Sequence, residues 1–370
     1  MKKIIPITTP NIEKDDYISV LNACKNEWKE KCFDSIKKLE KNFSKKFKYK
    51  YSKATSSCTG ALHLALLALN INKGDEVIVP DFTWISCSNV IEYVGAKPIF
   101  IDIDEKDWCI DVNKLEKKIT NKTKAIICVH LYGNVCNMNE LLRIKRKYKL
   151  HLIEDCAEAI GAKYNNLPVG SFGDIATFSF HGTKLITGGE GGMFVTNNKN
   201  IYEKFLLLSG MGTDPKETKY FYHKVIGYKY KISNIQAALI NSQLKKINKH
   251  IRIKKKIFQT YKKLFGEKYF QMNQNSKNST PVYWMSTLTI SIPNFQKENL
   301  IKYCKSKNIH LRPFFYPISS FPMYKKKINK VGTKISKQSI NLPSGYDLKK
   351  NDIFYIVKTI KTFINNIKKN

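Results

Sequence analysis

The sequence predicts an α/β fold, a mostly parallel mixed sheet with helices on both faces, followed by a smaller α+β unit. Two patterns predict it. Through the first two-thirds of the chain, short Ile- and Val-rich segments bounded by Gly, Pro or Asp alternate with stretches of helical periodicity. That alternation marks parallel strands joined by crossover helices. From about Ser233 it gives way to one long helix or a bent pair, then "YWMSTLTISI", a helix at "KENLIKYCKSKNI" and the loop "HLRPFFYP". The chain accordingly divides into a large domain, residues 1–245, and a small one, residues 246–370.

The expected strands are "EVIVPDFT" (76–83), "KPIFIDID" (97–104), "KAIICVHLYG" (124–133), "LHLIEDCA" (150–157), "DIATFSFH" (174–181) and "GGMFVTN" (191–197). Between them, "TGALHLALLALN" reads as a clean amphipathic helix and "MNELLRIKRKYK" as another. Ligands of such sheets bind beyond the carboxyl ends of the strands, so functional residues are sought just after each strand.

Composition narrows the function classes. The chain has 370 residues, 42% of them hydrophobic, which suits a folded protein rather than a disordered one. The longest apolar run, Ala61–Ile71, is too short to span a bilayer and His63 interrupts it. The N-terminus does not read as a signal peptide. Nine cysteines without a C-x-x-C pair read as reduced thiols in a cytoplasmic protein. The formal charge is +34, but the lysines are spread along the whole chain beside abundant Ile and Asn, a pattern of coding bias. In "IRIKKKIFQTYKKLF", Ile253, Ile257, Tyr261 and Phe265 fall at helical spacing and the lysines are expected on a solvated face. Neither nucleic acid nor membrane is expected as a partner, and no metal site is expected.

The motifs have competing readings one at a time. In "IEDCAEAIGA", Asp155 ends a strand, where it either meets a ligand cation or caps a following helix. In "TSSCTGALHLALLAL", Ser57, Cys58, Thr59 and Gly60 open a helix, suited to a phosphate or to simple capping by Ser57 or Thr59. Trp84, just past a strand, either stacks on a planar ring or packs in the core. Lys184 in "TFSFHGTKLITGGEGGMFVTN" follows a strand, and the P-loop order of glycines and lysine is absent. A lysine beside a low-dielectric site can lose its proton and attack a carbonyl carbon. Together, an imine-forming lysine, a carboxylate for a pyridinium nitrogen, a stacking aromatic and a helix N-terminus for phosphate are the requirements of pyridoxal phosphate.

Several motifs, in order, then make the chain recognisable: "GALHLALLALNINKGDEVIVPDFTW", "VGAKPIFIDID", "KAIICVHLYGNVCNM", "IEDCAEAIGA", "GSFGDIATFSFHGTKLITGGEGGMFVTN" and "NLPSG". The sequence resembles the DegT-type aminotransferases, the nucleotide-sugar branch of the fold-type I pyridoxal-phosphate enzymes, over nearly its whole length. "FSFHGTK", "VIGYKY", "VYWM" and "RPFFYP" bring it nearest to perosamine-synthase-like members.

The resemblance implies a role for each matching position. Lys184 falls on the Schiff-base lysine and Asp155 on the acid that pairs the pyridinium nitrogen. Glu158 falls near the ring hydroxyl, Trp84 on the stacking aromatic, and Ser57–Gly60 with Ser179 on phosphate contacts. Relatives usually have "GYNYR" where this chain has "GYKYK", so Lys229 takes the place of an asparagine that reaches the cofactor phosphate of the neighbouring subunit. "EWKEKCFDS" replaces a Ser/Gly-rich segment that often touches substrate. Trp28, His181, Arg312 and Tyr316 are the candidate substrate contacts, and the glycines after Lys184 read as a flexible turn.

The implied activity is transamination of a nucleotide-linked 4-keto-6-deoxyhexose, GDP-4-keto-6-deoxymannose above all, with L-glutamate as donor. UDP- or dTDP-linked 4-keto sugars and 3-keto sugars are alternatives. A dehydratase is disfavoured because Lys184 stands where dehydrating relatives carry histidine. The resemblance further implies a homodimer with shared active sites, serving polysaccharide biosynthesis such as O-antigen.

Overall fold

A computed structural model describes residues 3–324 and 329–369 of the chain. Helices α1 (Lys14–Asn26) and α2 (Asp34–Phe47) lead into β1 (Tyr51–Thr55) and α3 (Cys58–Ala68). The alternating part follows as β2 (Glu76–Pro80), α4 (Ser86–Tyr93), β3 (Lys97–Ile101), β4 (Thr123–Val129), α5 (Met138–Tyr148) and β5 (His151–Asp155). Two short strands, β6 (Lys163–Tyr164) and β7 (Leu167–Pro168), precede β8 (Ile175–Ser179), β9 (Gly192–Thr196) and α6 (Lys199–Ser209).

The central sheet has seven strands in the order β1-β9-β8-β5-β4-β2-β3. Its β2–β3, β2–β4, β4–β5 and β5–β8 pairings are parallel, while β9 runs antiparallel to both neighbours, β8 and β1. The sheet is therefore mixed and mostly parallel, as expected, and the carboxyl ends of β1, β2, β4, β5 and β8 share one edge. β2, β8 and β9 are buried along their whole length, which explains why they read as continuous apolar runs rather than alternating ones. β1, absent from the expected strands, has a sequence, "YSKAT", that is mostly polar, at Ser52, Lys53 and Thr55, and it lies at the end of the sheet.

Helix α3 departs from the amphipathic expectation. Gly60 through Leu66 and Ala68 are all buried. The helix is apolar around nearly its whole circumference because it lies between β8 and β9 on one side and α4 and α6 on the other.

Beyond the sheet come α7 (Asn234–Lys245) and α8 (Ile247–Phe265), the bent pair, broken at Lys246. Then follow β10 (Phe270–Met272), β11 (Ser279–Thr280), β12 (Thr287–Ile290), α9 (Lys297–Ser306), β13 (Arg312–Pro313), α10 (Lys330–Gln338), β14 (Ser339–Asn341) and α11 (Lys350–Lys369). β10, β12, β14 and β13 form a second sheet in that order, and β11 joins β6 and β7 in a third.

Hydrophobic side chains gather in two clusters. One surrounds the seven-stranded sheet and includes Trp284, Phe314 and Ile335 from later in the chain. The other joins α8, the second sheet, α9 and α11, and takes Ile5 from the N-terminus, where Ile5 bridges Ile309. On α8 the expected stripe is buried at Ile257, Tyr261 and Phe265, with Ile253 half-buried. Lys254 corrects the expectation that its lysines are solvated: it is buried on that same stripe. It stands four residues after buried His250 and three before Ile257, so helical periodicity itself carries it inward.

Candidate active site

The shared carboxyl edge of the sheet opens on a cavity of about 420 Å³. Several strands deliver residues to it as the chain leaves the sheet. The β1–α3 junction brings Ser57, Cys58 and Thr59, and the turn after β2 brings Thr83 and Trp84. β5 brings Asp155 and Glu158, and β8 brings Ser179, His181 and Lys184.

Lys184 lies just under the cavity wall, its side chain 14% exposed. Its Nζ is 3.3 Å from Glu158 Oε1 and 4.1 Å from the ring centroid of Trp284. The Trp284 indole N–H donates to the carbonyl of Thr183 at 2.7 Å, so one aromatic side chain touches both Lys184 and its predecessor. Glu158 is buried, and its Oε2 accepts the backbone N–H of Tyr132 at 2.7 Å. Tyr132 has φ 54, an unusual backbone for a bulky residue, and the Glu158 bond helps hold it there. Burial pushes the Glu158 carboxyl above its usual range, against the opposing pull of the Lys184 cation and the Tyr132 N–H.

Asp155, at the end of β5, is buried. Its Oδ1 accepts the N–H of Ala157 at 2.9 Å and its Oδ2 lies 3.1 Å from the Cys87 thiol. No helix follows it: the residues after Cys156 form turns, so the helix-capping reading does not hold. Burial, reinforced by the Asp155 charge, pushes the Cys87 and Cys58 thiols well up, and Cys87 therefore serves Asp155 as a proton donor. The preceding residue, Glu154, faces the other side of the strand, where it accepts N–H groups from Gly170, Phe172 and Gly173 and pairs with His130. Glu154, His130 and Cys156 lie close together, and Glu154, held by His130, braces the loop after β7.

At the start of α3, Ser57 is the N-cap, its Oγ accepting the N–H of Gly60 at 3.0 Å. The first N–H groups of a helix lack intrahelical partners, and this end faces the cavity through Ser57, Cys58 and Thr59. Gly60 sits behind them against Tyr230, whose Cγ would lie 2.9 Å from an added Cβ. The glycines after Lys184 are more than a flexible turn. Gly189 has open space, but a Cβ on Gly192 would lie 2.5 Å from the Ser57 carbonyl, so β9 passes against the backbone of the helix start.

Trp84 is 62% exposed, which excludes the buried-core reading, and its ring stands edge-on to Phe315. Phe315, Tyr132 and Trp284 form a stacked wall, Tyr132 lying 5.5 Å from Phe315 and 6.3 Å from Trp284. His181 is on the rim, with Thr183 Oγ1 at 3.0 Å and Glu190 at 3.7 Å. Arg312 also lines the cavity and has no ion-pair partner among the described residues. Trp28, Lys229 and Tyr316 do not line it. Trp28 is exposed between α1 and α2, Lys229 is exposed beside Tyr230, and Tyr316 is exposed with Lys297 Nζ 4.3 Å from its ring centroid. Sequence reasoning assigned no role to Trp284, Tyr132, Phe315 or Cys87. "VYWM" was visible as a motif, but nothing local to it tells that Trp284 faces a lysine 100 positions earlier.

The set of donors fits pyridoxal phosphate: an amine, a buried carboxylate carrying a thiol hydrogen bond, a capped helix N-terminus and an exposed aromatic face all open on one cavity. Comparison with known proteins agrees. Residues 10–361 match the DegT/DnrJ/EryC1/StrS aminotransferase family. The GDP-perosamine synthase of Escherichia coli O157:H7 is 40% identical, covering 98% of this chain and 100% of that protein. That of Vibrio cholerae is 34% identical with the same coverage. Among solved structures, the PMP form of Spr1654 from Streptococcus pneumoniae superimposes with a TM-score of 0.91 at 25% identity, covering 100% of both chains. The chain belongs to the DegT/DnrJ/EryC1/StrS aminotransferase family and is a pyridoxal-phosphate-dependent aminotransferase.

Proposed function

We propose that the enzyme transfers the amino group of L-glutamate to a nucleotide-linked 4-keto-6-deoxyhexose, GDP-4-keto-6-deoxymannose, to give a perosamine-type sugar nucleotide. The observation that carries this substrate is the 40% identity to a GDP-perosamine synthase along the full length of both chains.

The cofactor, when bound, supplies an electron sink and a carrier for the amino group. The rest falls to the chain. Lys184 holds the cofactor and then, as a free amine, carries the proton taken from the α-carbon of glutamate. Asp155 keeps the ring nitrogen protonated, and Cys87 and the Ala157 N–H hold its carboxylate in place. The first turn of α3 with Ser179 takes the phosphate, Glu158 sits by the ring hydroxyl, and Trp84 covers the ring. His181 and Arg312 at the rim, with Trp28 and Tyr316, are assigned to the sugar nucleotide. Arg312, without an ion-pair partner among the described residues, suits its diphosphate.

A homodimer belongs to the same proposal. Tyr220, Phe221 and Ile226 are 83%, 85% and 86% exposed on the segment that carries Lys229, a surface that asks for cover. The partner would then receive Lys229 at its phosphate. The division at residues 245 and 246, a cytoplasmic location and service to polysaccharide biosynthesis are likewise proposed; the second hydrophobic cluster, drawn from residue 257 onward apart from Ile5, supports the first.

The test is a panel of GDP-, UDP- and dTDP-linked keto sugars with glutamate. The GDP-linked 4-keto-6-deoxymannose should be aminated with the highest kcat/KM; preference for a UDP or dTDP substrate overturns the assignment. Lys184→Ala should lose both the yellow cofactor band and turnover.

A further inference from the structure

The two peptide carbonyls flanking Lys184 are both held by side chains from beyond residue 245. Thr183 O accepts from Trp284, and Leu185 O accepts from two groups at once. The Tyr346 hydroxyl donates to Leu185 O at 2.6 Å, and His250 Nδ1 lies 3.2 Å from the same oxygen. The tautomer of His250 follows from its other nitrogen. Asn11 Nδ2 donates to Glu13 Oε1 at 2.9 Å and faces His250 Nε2 at 3.3 Å, so Nε2 accepts and Nδ1 carries the proton given to Leu185. The His250 and Tyr346 rings touch, with centroids 4.9 Å apart.

Beneath this pair lies Lys254. It is 1% exposed, donates to the carbonyl of Ser344, and sits 4.5 Å from the Tyr346 ring centroid. Among the described residues no carboxylate pairs with it, and burial alone lowers its pKa to about 7. An unpaired buried amine costs stability, and an apolar side chain of similar length would fill the same space without that cost. What Lys254 does in return is local: it fixes the loop from Ser344 to Tyr346, and through it the hydroxyl on Leu185.

We infer that Lys254, Tyr346 and His250 form a positioning device that holds the backbone at Leu185, and thereby the Lys184 amine, from the far side of the chain. This rests on the assignment of Lys184 as the cofactor lysine. Small displacements of a reacting group are expensive in rate, so the device acts on turnover rather than on substrate affinity.

The experiment uses the holoenzyme, the single variants Lys254→Met, Tyr346→Phe and Lys184→Ala, and the double variant of the first two. Lys254→Met should keep or raise the thermal midpoint while lowering kcat about tenfold, with KM for both substrates nearly unchanged. Tyr346→Phe should lower kcat similarly, and the double variant should lose little more than either single one. The rate at which cofactor-stripped protein regains its absorbance band should slow in step. Full kcat in both Lys254→Met and Tyr346→Phe overturns the inference, as does a loss that only follows a fallen thermal midpoint. If Lys184→Ala still turns over, it is the assignment of the lysine that fails.

Discussion

The Lys184 ammonium rests over the face of Trp284, 4.1 Å from the ring centroid, while Glu158 approaches it at 3.3 Å. Trp284 thus offers the Lys184 amine a resting place that a carboxylate alone would not shape. A contact of this kind contributes about 1–2 kcal/mol when partly desolvated. Trp284→Leu should lower kcat about tenfold, and Trp284→Phe, which keeps a ring but loses the Thr183 bond, less. Steady-state kinetics with glutamate decides.

Asp155→Asn should retain much of the cofactor affinity and lose most turnover, about a hundredfold or more. The amide preserves the shape of the Ala157 contact but no longer favours a protonated ring nitrogen. Equilibrium dialysis beside single-turnover kinetics separates the two effects. Full activity would remove Asp155 from its assigned role.

Glu158 makes a prediction about pH. Its folded pKa is raised, burial being the leading cause, so between the unfolded and folded values the native state holds the extra proton. Stability contributed at this site therefore falls as pH rises through that window, and the cost is fully present above the folded value. Glu158→Gln lacks this titration. In cofactor-free protein the variant should gain on wild type in thermal midpoint as pH is raised from 4 to 8, while turnover falls about tenfold or more because Lys184 loses its partner. A constant offset between the two proteins across that range would refute the shift.

Gly192→Ala should strike the cofactor site from behind. The added carbon would lie 2.5 Å from the Ser57 carbonyl and 2.6 Å from the Cys58 nitrogen, both backbone atoms that cannot step aside singly. A loss of about 2 kcal/mol in stability is expected, with weaker cofactor binding by titration. Gly189→Ala, in open space but at φ 80, should cost less than Gly192→Ala and leave binding alone.

The seven-stranded sheet was legible because its strands are short, apolar and punctuated, and each expected strand past β1 is present within a few residues. Asp155, Lys184 and the α3 start, which line the cavity, stood out in the sequence because each lies at or soon after the end of a strand, while Glu158 and Ser179 were reached only through the family resemblance. The residues missed act across long separations. Trp284 meets Lys184, Tyr346 meets Leu185, and Cys87 meets Asp155 only once distant elements pack. Lys254 shows another limit: its position on the stripe is periodic, but a charged residue type argued against burial, and only the packed loop at Ser344 explains why it is there. The glycines at 191 and 192 read as looseness, whereas at Gly192 they mark a place too crowded for any side chain.

The register of β5 against β8 sets Asp155 opposite Thr177, two residues before Ser179. The Asp155 carboxylate and the Ser179 hydroxyl are thus spaced by the pitch of neighbouring strands, a dimension that loop changes do not alter. Of the rim groups, His181 follows β8, whereas Arg312 comes from β13, outside this sheet. The reaction centre assigned to Lys184 and Asp155 is thus tied to the sheet, whereas part of the rim, Arg312 among it, comes from elsewhere in the chain. Recruitment to a new nucleotide sugar could proceed by exchanging rim segments while the reaction centre stays as it is.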